Sequence, residues 1–425
     1  MFARIRNISL GNKILIGMLL GMVVGLFLNF HVHDPFIKDV VLMDNVFYLG
    51  GNVFIRLMKM LVVPLVLCSI VVGVASISDI RKIGSIGGKT ILIYLVTTAI
   101  AVTIALLIGM TLKPGLGLDL SSVAQTANVT SNQTLTNTIV NIIPENPFNS
   151  LANGDMLPVI VFGLLIGIIL AKLKDETEIF NKGFNEGNRI MMEMTSLVMK
   201  FAPIGVFCLM AKTFGSLGFD GLLPLSKYFI CVLIGLAIQC FVVYPSLLVI
   251  LTRLNPIKFF KRFFPVMFFA FSASASNATI PLNLEKLSDM GVSRDVSSFT
   301  IPLGATINMD GTAIMQGVAV MFAAQAYGMD LGTSALITVV VTAVMASIGT
   351  AGVPSVGLVT LTMVFNSVGL PVQAIGVIFG IDHILDMFRT AVNVCGDAIC
   401  TIIVSFSNKS IDLDLFNGKK EVEET

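Results

Sequence analysis

The last long apolar segment of the chain, at positions 381–404, contains six polar side chains at helical spacing. These six are Asp382, Asp386, Arg389, Thr390, Asn393 and Asp397. At about 100° per residue they fall within one sector roughly 100° wide, so they form a single polar stripe on a helix. Ionisable groups at bilayer depth cost at least ~2.5 kcal/mol each on insertion scales, and they are therefore expected to face a functional site rather than lipid.

A second polar run lies at positions 308–312 and contains an asparagine, an aspartate and a threonine around Gly311. The glycine is expected to let the helix open and turn backbone carbonyl groups toward a ligand. Together the two segments carry four acids and one base, which are Asp310, Asp382, Asp386, Asp397 and Arg389. If all are ionised, the excess of three negative charges must be relieved by protons, by protein partners or by bound cations.

The available ligands are carboxylate, amide, hydroxyl and backbone oxygens, which favour hard cations. No Cys or His cluster accompanies them, and the six cysteines form no CxxC pair, so neither a transition-metal site nor a disulfide framework is indicated. Sodium ions or protons are the expected counter-charges. Arg389 offers a planar fork that suits a carboxylate, and Asp386 could accept the ammonium group of the same substrate.

Structural roles are open for some of these groups. Asp382 could equally join two helices by a hydrogen bond, and Arg389 with Asp386 could form a permanent ion pair. His383 lies beside the polar stripe and is a weaker candidate, as a proton carrier. An intramembrane aspartyl protease would need two converging carboxylates without a neighbouring arginine, and its GxGD signature would need glycine where Val394 stands.

The composition places these segments in a membrane. The 425 residues are 55% hydrophobic and 12% charged, with a mean hydropathy of +0.90, whereas about a quarter of residues in soluble domains are charged. The net charge of +1 offers no basic surface for nucleic acid. Apolar runs long enough to cross a bilayer core of roughly 30 Å occupy 14–32, 45–77, 88–112, 148–173, 190–216 and 224–252. Lysine and arginine concentrate in alternate loops, which predicts a cytoplasmic amino terminus.

The apolar runs of the last 170 or so residues are interrupted by small and polar residues at what should be membrane depth. Two stretches, 272–281 and 347–354, are rich in Ser, Gly, Ala or Thr and close on a proline, and each precedes a helix with Asn and Asp. This pattern predicts a duplicated unit, a hairpin that enters and leaves on one side and then a spanning helix, with a site between the two hairpins. Flexible loops outside the membrane are the alternative.

Three long motifs, in the expected order, resemble the dicarboxylate/amino acid:cation symporter family, which includes archaeal aspartate transporters and animal excitatory amino acid transporters. They are GATINMDGT at 304–312, SIGTAGVP at 347–354 and DMFRTAVNVCGD at 386–397, with a weaker match, NIIPENPF, at 141–148. The similarity spans nearly the whole chain.

The resemblance implies an all-α membrane protein with eight transmembrane helices and two re-entrant helical hairpins that form inverted repeats. It also implies a bowl-shaped homotrimer in which a transport domain slides as an elevator against a scaffold. The implied scaffold comprises residues 1–77 (spans 1 and 2) and 114–220 (spans 4 and 5). The implied transport domain comprises 78–113 (span 3) and 221–410 (span 6, hairpin 1, span 7, hairpin 2 and span 8), and a cytoplasmic tail follows at 411–425.

The resemblance also implies roles for the residues of this chain that match the family motifs. The implied substrate site consists of Ser276, Thr312, Asp386, Arg389, Thr390 and Asn393, with Asp386 on the ammonium group and Arg389 on the side-chain carboxylate. The first of three implied sodium sites uses Asp397, Asn393 and the carbonyl groups of Gly304 and Asn308. The second uses Thr306, Ser347, Ile348 and Thr350, and the third uses Asp310 and Asn308 with Tyr94, Thr97 and Thr98. The second hairpin, with Gly349, Ala351, Gly352, Val353 and Pro354, is the implied gate.

The implied function is symport of sodium with aspartate or glutamate across the inner (plasma) membrane of a prokaryote, with both termini cytoplasmic and no enzymatic activity. Gln316 stands where proton-coupled animal members carry Glu, which favours sodium. Ser274 and Met387 stand where relatives place a second arginine, and Phe388 replaces a small residue, so the substrate is open. A proton- or sodium-coupled C4-dicarboxylate carrier, a neutral amino acid carrier of the same fold and an anion channel are the alternatives.

Overall fold

The structure is a computed structural model, and it describes residues 10–32, 34, 36–75, 85–118, 140, 143–154, 156–218, 222–348 and 356–418. These residues are almost entirely helical, and the described part contains no β-strand beyond one isolated bridge between Val292 and Ile411. The all-α prediction is therefore confirmed for this part of the chain.

Seven α-helices lie in the described residues up to position 218. They are α1 Leu10–His31, α2 Tyr48–Ala75, α3 Ser85–Leu112, α4 Pro147–Asn153, α5 Met156–Leu173, α6 Glu178–Met199 and α7 Ala202–Leu217. A π-helix, Phe36–Phe47, leads into α2, and a short 3₁₀ turn, Lys174–Thr177, joins α5 to α6.

Ten α-helices lie in the described ranges 222–348 and 356–418. They are α8 Leu222–Ile238, α9 Tyr244–Thr252, α10 Pro256–Ala273, α11 Ser276–Asp289, α12 Arg294–Ile307, α13 Asp310–Ala326, α14 Thr333–Ile348, α15 Val356–Ser367, α16 Ala374–Ser407 and α17 Leu413–Asn417. A π-helical segment, Gln239–Val243, makes α8 and α9 one continuous rod. Helix α13 is buried on every side, with Gln325 alone partly exposed, as expected for the centre of a bundle.

Small residues bring α1 and α7 into close contact. Gly17, Gly21 and Gly25 recur every fourth residue, so they lie on one face of α1. A Cβ atom on Gly25 would stand 2.7 Å from the carbonyl oxygen of Ala211, and one on Gly17 would meet the carbonyl of Pro203. Glycine is required here because the two backbones touch, as is common where helices pack in a membrane.

Three described helical segments are long and apolar enough to cross a membrane on their own: Ile86–Leu112, Leu223–Thr252 and Ile381–Ser407. A fourth crossing is formed if Glu178–Met199 and Ala202–Gly215, which meet at a bend of 51°, count as one broken span. The predicted span 190–216 is thus two helices, because Pro203 in the first turn of α7 cannot extend α6. Eight transmembrane helices stay a prediction.

At each predicted hairpin the structure describes two helices that contact each other. Helix α10 ends at Ser274, which adopts a left-handed backbone conformation with φ 49°, and α11 begins at Ser276 and packs back on α10. Helix α14 ends at Ile348, α15 resumes at Val356, and these two helices also contact each other. The direction of either pair relative to a bilayer stays a prediction.

The segment after α16 is packed against the base of the first helix pair. The backbone N–H of Asp412 donates to the carbonyl of Gly291 at 2.8 Å, and that of Ser293 donates to Ser410 at 3.0 Å. The guanidinium of Arg262 donates to the carbonyls of Leu415 (2.7 Å) and Asp289 (2.8 Å). Residues 411–418 of the predicted tail are therefore a docked segment.

Candidate functional site

The polar stripe of α16 meets a break in the helical backbone between α12 and α13. Residues Asn308 and Met309 leave the helical conformation, and Ser347 at the end of α14 satisfies the exposed backbone. Its hydroxyl donates to the carbonyl of Ile307 and accepts from the N–H of Met309 at 3.0 Å. The break thus precedes Gly311, so the expectation that this glycine opens the helix is wrong.

Gly311 has another role, which is the close approach of α13 to α16. A Cβ atom there would stand 2.7 Å from the carbonyl oxygen of Arg389 and 2.9 Å from its Cα atom. The Gly311 N–H donates to Oδ1 of Asn393 at 2.7 Å, which locks the two helices in register. The absence of a side chain therefore brings the polar run of α13 onto the stripe of α16.

Arg389 is the centre of a buried charge cluster, and it is fully shielded from solvent. Its Nη2 atom donates to Oδ1 of Asp386 at 2.7 Å, and its Nη1 atom lies 3.0 Å from Oδ1 of Asp382. The two carboxylates flank one guanidinium, so the cluster carries one net negative charge if all three groups are ionised. Asp382, left open between structure and function by the sequence, is thus a charge partner of Arg389.

The contact between Arg389 and Asp382 is close but poorly aligned. Nη1 and Nε of Arg389 and both carboxylate oxygens of Asp382 make no hydrogen bond of acceptable geometry within the protein. We regard the 3.0 Å approach as a charge contact, because a hydrogen bond weakens steeply when donor and acceptor are misaligned. Two donors of the guanidinium are therefore available to a further acceptor.

Thr312 and Gly357 adjoin the guanidinium from α13 and α15. A Cβ atom on Gly357 would stand 2.8 Å from Cγ2 of Thr312 and 3.3 Å from Nη1 of Arg389. Gly357, which the sequence reasoning missed, therefore leaves space beside both of these predicted site residues. Thr390 is also buried near the cluster, and its hydroxyl donates to the backbone carbonyl of Asp386 at 2.8 Å.

Asp397 lies one turn beyond Asn393 and faces the end of α12. Its Oδ1 accepts a hydrogen bond from Nδ2 of Asn308 at 2.9 Å, and Oδ1 of Asn308 accepts one from Thr97 at 3.3 Å. A Cβ atom on Gly304 would stand 2.7 Å from Cγ of Asp397 and 2.7 Å from the hydroxyl oxygen of Tyr94. The structure thus brings together the side chains and the backbone predicted for the first sodium site.

Asp310 is surrounded by neutral donors. Its Oδ1 accepts from Thr98 at 2.6 Å, and its Oδ2 accepts from Gln239 at 3.0 Å and from Tyr244 at 2.8 Å. The hydroxyl oxygens of Thr97 and Thr98 also lie 3.0 Å and 2.8 Å from the carbonyl oxygen of Tyr94. Predicted ligands of the third sodium site therefore converge, together with two residues that the sequence reasoning missed.

Gln239 and Tyr244 face Asp310 because the helix widens between them. They are five residues apart, which puts them on different faces of a regular α-helix but in line where hydrogen bonds run from i to i+5. Pro245 follows directly and lacks the N–H that a regular turn needs, which explains a π-helical segment at Gln239–Val243. In the sequence, the feature that could have pointed to these two residues is a glutamine and a tyrosine next to a proline within an apolar run.

No basic residue neutralises Asp310 or Asp397 in the described part of the chain. The ion pairs found there join Lys286 to Asp289 and Arg389 to its two aspartates. Asp310 and Asp397 are 0% and 1% exposed. Asn308, which donates to Asp397, accepts from Thr97, and the adjacent Thr98 donates to Asp310. Two buried carboxylates with only neutral donors require a cation or protons as counter-charge.

The remaining predicted site residues lie around this centre. Thr306 is partly buried and donates to the carbonyl of Leu303, and Ile348 packs against the apolar cluster that contains Tyr94. Ser276 is buried at the start of α11, which contacts α16. Thr350 and the gate residues Gly349, Ala351, Gly352, Val353 and Pro354 lie outside the described residues.

Two of the residues that depart from the family pattern, Ser274 and Phe388, lie at the first helix pair. Ser274 is buried at the break between α10 and α11. Phe388 makes an edge-to-face contact with Phe271 of α10, with ring centroids 4.9 Å apart. Gln316 is buried on α13 and donates to the hydroxyl of Thr360 at 2.9 Å. The phenylalanine that replaces a small residue thus packs α16 against α10.

Several known transporters are similar to this chain in sequence. The model of the sodium:dicarboxylate symporter family matches residues 10–407. The chain is 36% identical to a proton/sodium-glutamate symport protein of Geobacillus stearothermophilus over 409 residues, which cover 94% of each chain. It is 34% identical to a proton/glutamate-aspartate symporter of Escherichia coli K12, covering 93% of this chain and 92% of that one. A C4-dicarboxylate transport protein of Cupriavidus necator is 31% identical over 85% of each chain.

Proposed function

This chain belongs to the sodium:dicarboxylate symporter family, and from that premise we propose that it imports an acidic amino acid, aspartate or glutamate, together with sodium ions. The family and its members that are similar to this chain are transporters and not enzymes, so the protease alternative is excluded. The family and the apolar helices together make the chain a multi-pass membrane protein that carries out cation-coupled symport of acidic amino acids or dicarboxylates.

The observation that carries the proposal is the charge arrangement between α13 and α16. Arg389 is fully buried and has two donor atoms without an acceptor. Two turns further along the same helix, Asp397 is buried without a basic partner among the described residues, and so is Asp310 on α13. One end of the arrangement can therefore recognise an anion, while the other needs cations.

An acidic amino acid fits the groups around Arg389. Its side-chain carboxylate would accept from Nε and Nη1 of Arg389 beside Thr312, and its ammonium group would approach Asp386. The α-carboxylate would be bound by Asn393 and by Ser276 at the break between the first two hairpin helices. Binding of the carboxylate draws Arg389 away from its own aspartates, so the negative charge of Asp386 becomes available to the ammonium group.

Sodium is proposed as the coupling ion because the ligands are neutral oxygens and carboxylates that suit a hard cation. The names of relatives mention both proton/sodium and proton coupling. Buried Gln316 cannot take up or release a proton, which supports sodium. We further propose that the chain forms a trimer, that α3 and α8–α16 belong to a moving transport domain, and that the segment between α14 and α15 is the gate.

Transport of a C4-dicarboxylate is the second candidate. Nη2 of Arg389 already binds Asp386 at 2.7 Å, and if that pair persists, no free carboxylate is left for an ammonium group. A substrate with two carboxylates and no amine would then fit equally well. The relative from Cupriavidus necator carries the name of such a transporter.

Uptake into proteoliposomes tests the proposed function. With an inward sodium gradient, we expect accumulation of radiolabelled L-aspartate at least about tenfold above that with choline outside, because two buried carboxylates must be neutralised before closure. A proton gradient without sodium is the matched control. Equal uptake in choline buffer would refute sodium coupling, and competition by succinate but not by L-aspartate would establish the dicarboxylate alternative.

Gly357→Ala is expected to lower substrate affinity about tenfold, since a methyl group there crowds Thr312 and Nη1 of Arg389 at 2.8 and 3.3 Å. The measurement is the dissociation constant for L-aspartate by calorimetry in saturating sodium. Gly183→Ala in α6 is the control, because a Cβ atom at that position meets nothing within 4 Å. Unchanged affinity in Gly357→Ala would show that this side of the guanidinium is not the substrate side.

A further inference from the structure

The hydroxyl group of Tyr228 on α8 is a buried donor without an acceptor. Tyr228 is fully shielded from solvent, and its hydroxyl makes no hydrogen bond. Its ring packs against Phe322 of α13 with centroids 5.3 Å apart, which fixes where the hydroxyl points. Leaving such a group unpaired costs free energy, so its position calls for an explanation.

Asp382 is the complementary acceptor. Neither of its carboxylate oxygens receives a hydrogen bond, although the residue is 1% exposed. Helix α8, which carries Tyr228, packs against α16, which carries Asp382 and Arg389. The ring of Tyr228 also contacts α13, the helix that packs on the same part of α16. Within the described residues, a donor and an acceptor that both have no hydrogen bond are therefore carried by two helices in contact.

The guanidinium of Arg389 has to change partners when a substrate binds. It is shared between Asp382 and Asp386, and a carboxylate ligand would compete with both. Arg389 should lose its contact with Asp382 more easily than its contact with Asp386, because the former is poorly aligned. Asp382 would then be a buried charge without compensation, which is costly.

We propose that Tyr228 is a positioning residue that donates a hydrogen bond to Asp382 when Arg389 engages the substrate carboxylate. The hydroxyl can stabilise the carboxylate without adding a positive charge that would compete with Arg389 for the ligand. The bond forms only in the substrate-bound state, so it adds to substrate affinity and not to sodium binding alone. This inference rests on the proposed function, because it assumes that Arg389 binds a substrate carboxylate.

Tyr228→Phe tests the proposal, since it removes the hydroxyl and keeps the ring against Phe322. We expect the dissociation constant for L-aspartate to rise about tenfold or more, the usual effect of losing a hydrogen bond to a charged group. Sodium binding without substrate, measured by thermal shift, should be unchanged. In reconstituted protein, KM should rise with the maximal rate unchanged.

The matched control is Tyr327→Phe. The hydroxyl of Tyr327 is also buried without a partner, but it lies at the far end of α13. We expect this change to leave L-aspartate affinity as it is. A double-mutant cycle with Asp382→Asn tests whether the hydroxyl acts through Asp382. Once the charged acceptor is gone, removal of the hydroxyl should have little further effect on L-aspartate affinity.

Three results would overturn the proposal. The first is an L-aspartate affinity of Tyr228→Phe within about twofold of the unmodified protein, which is below the effect of a charged hydrogen bond. The second is an equal loss in the Asp382→Asn background, and the third is a parallel loss of sodium binding without substrate. If the unmodified protein bound no acidic substrate, the proposed function itself would fail, so the two failures are distinguishable.

Discussion

Arg389→Lys is expected to weaken binding of L-aspartate about a hundredfold or more, because a lysine keeps the charge but loses the planar fork and the Nε donor. The retained charge still compensates Asp382 and Asp386, so the protein is expected to fold. Arg389→Ala would remove this compensation and leave two buried carboxylates, a change that costs about 3–5 kcal/mol. The lysine variant is therefore the sharper test of recognition. The measurement is calorimetric titration in saturating sodium.

Arg262→Lys is the matched control for this experiment. Arg262 also binds through directed hydrogen bonds, but its acceptors are backbone carbonyls at the docked end of the chain. We expect its affinity for L-aspartate to equal that of the unmodified protein. If Arg389→Lys bound L-aspartate as tightly as the control, the assignment of Arg389 to the substrate carboxylate would be wrong.

Asp397→Asn is expected to raise the sodium concentration for half-maximal L-aspartate binding about tenfold or more, because the change removes a carboxylate that no basic residue compensates. The substitution retains an oxygen that can accept from Asn308, so the bond at 2.9 Å between these residues can persist. The measurement is substrate binding across a sodium titration at constant ionic strength.

Asp289→Asn serves as the control for loss of a carboxylate, since Asp289 is partly exposed and pairs with Lys286 outside the site. The same titration should be unchanged in this variant. If Asp397→Asn left the sodium dependence intact but abolished a dependence on pH, the counter-charge at this position would be a proton, and the sodium assignment would be contradicted.

The sequence was sufficient for the parts of the site that follow from helical periodicity. The stripe of α16 places Asp386, Arg389 and Asn393 on one face, and the structure places that face against α13 as expected. The excess of acids over one base predicted a need for cations, and Asp310 and Asp397 are buried without basic partners in the described part of the chain. Patterns of this kind depend only on local geometry and charge.

The parts that could not be predicted depend on departures from regular geometry. At about 100° per residue, Gln239 and Tyr244 would face different directions, and only the π-helical segment between them brings both onto Asp310. The break at Asn308 likewise depends on Ser347 from a distant helix, which satisfies the unwound backbone. Such features are determined by tertiary contacts, which cannot be deduced from the local pattern of a single sequence.

The docked segment after α16 has a mechanical consequence for the first helix pair. Phe416 is 1% exposed, and the carbonyls of Leu415 and Asp289 share the guanidinium of Arg262. Separation of the end of α16 from the turn at Gly291 would expose the ring of Phe416 to solvent. It would also break the hydrogen bonds between these two segments. A displacement of the carboxyl end of the longest helix is thus transmitted directly to the base of α10 and α11.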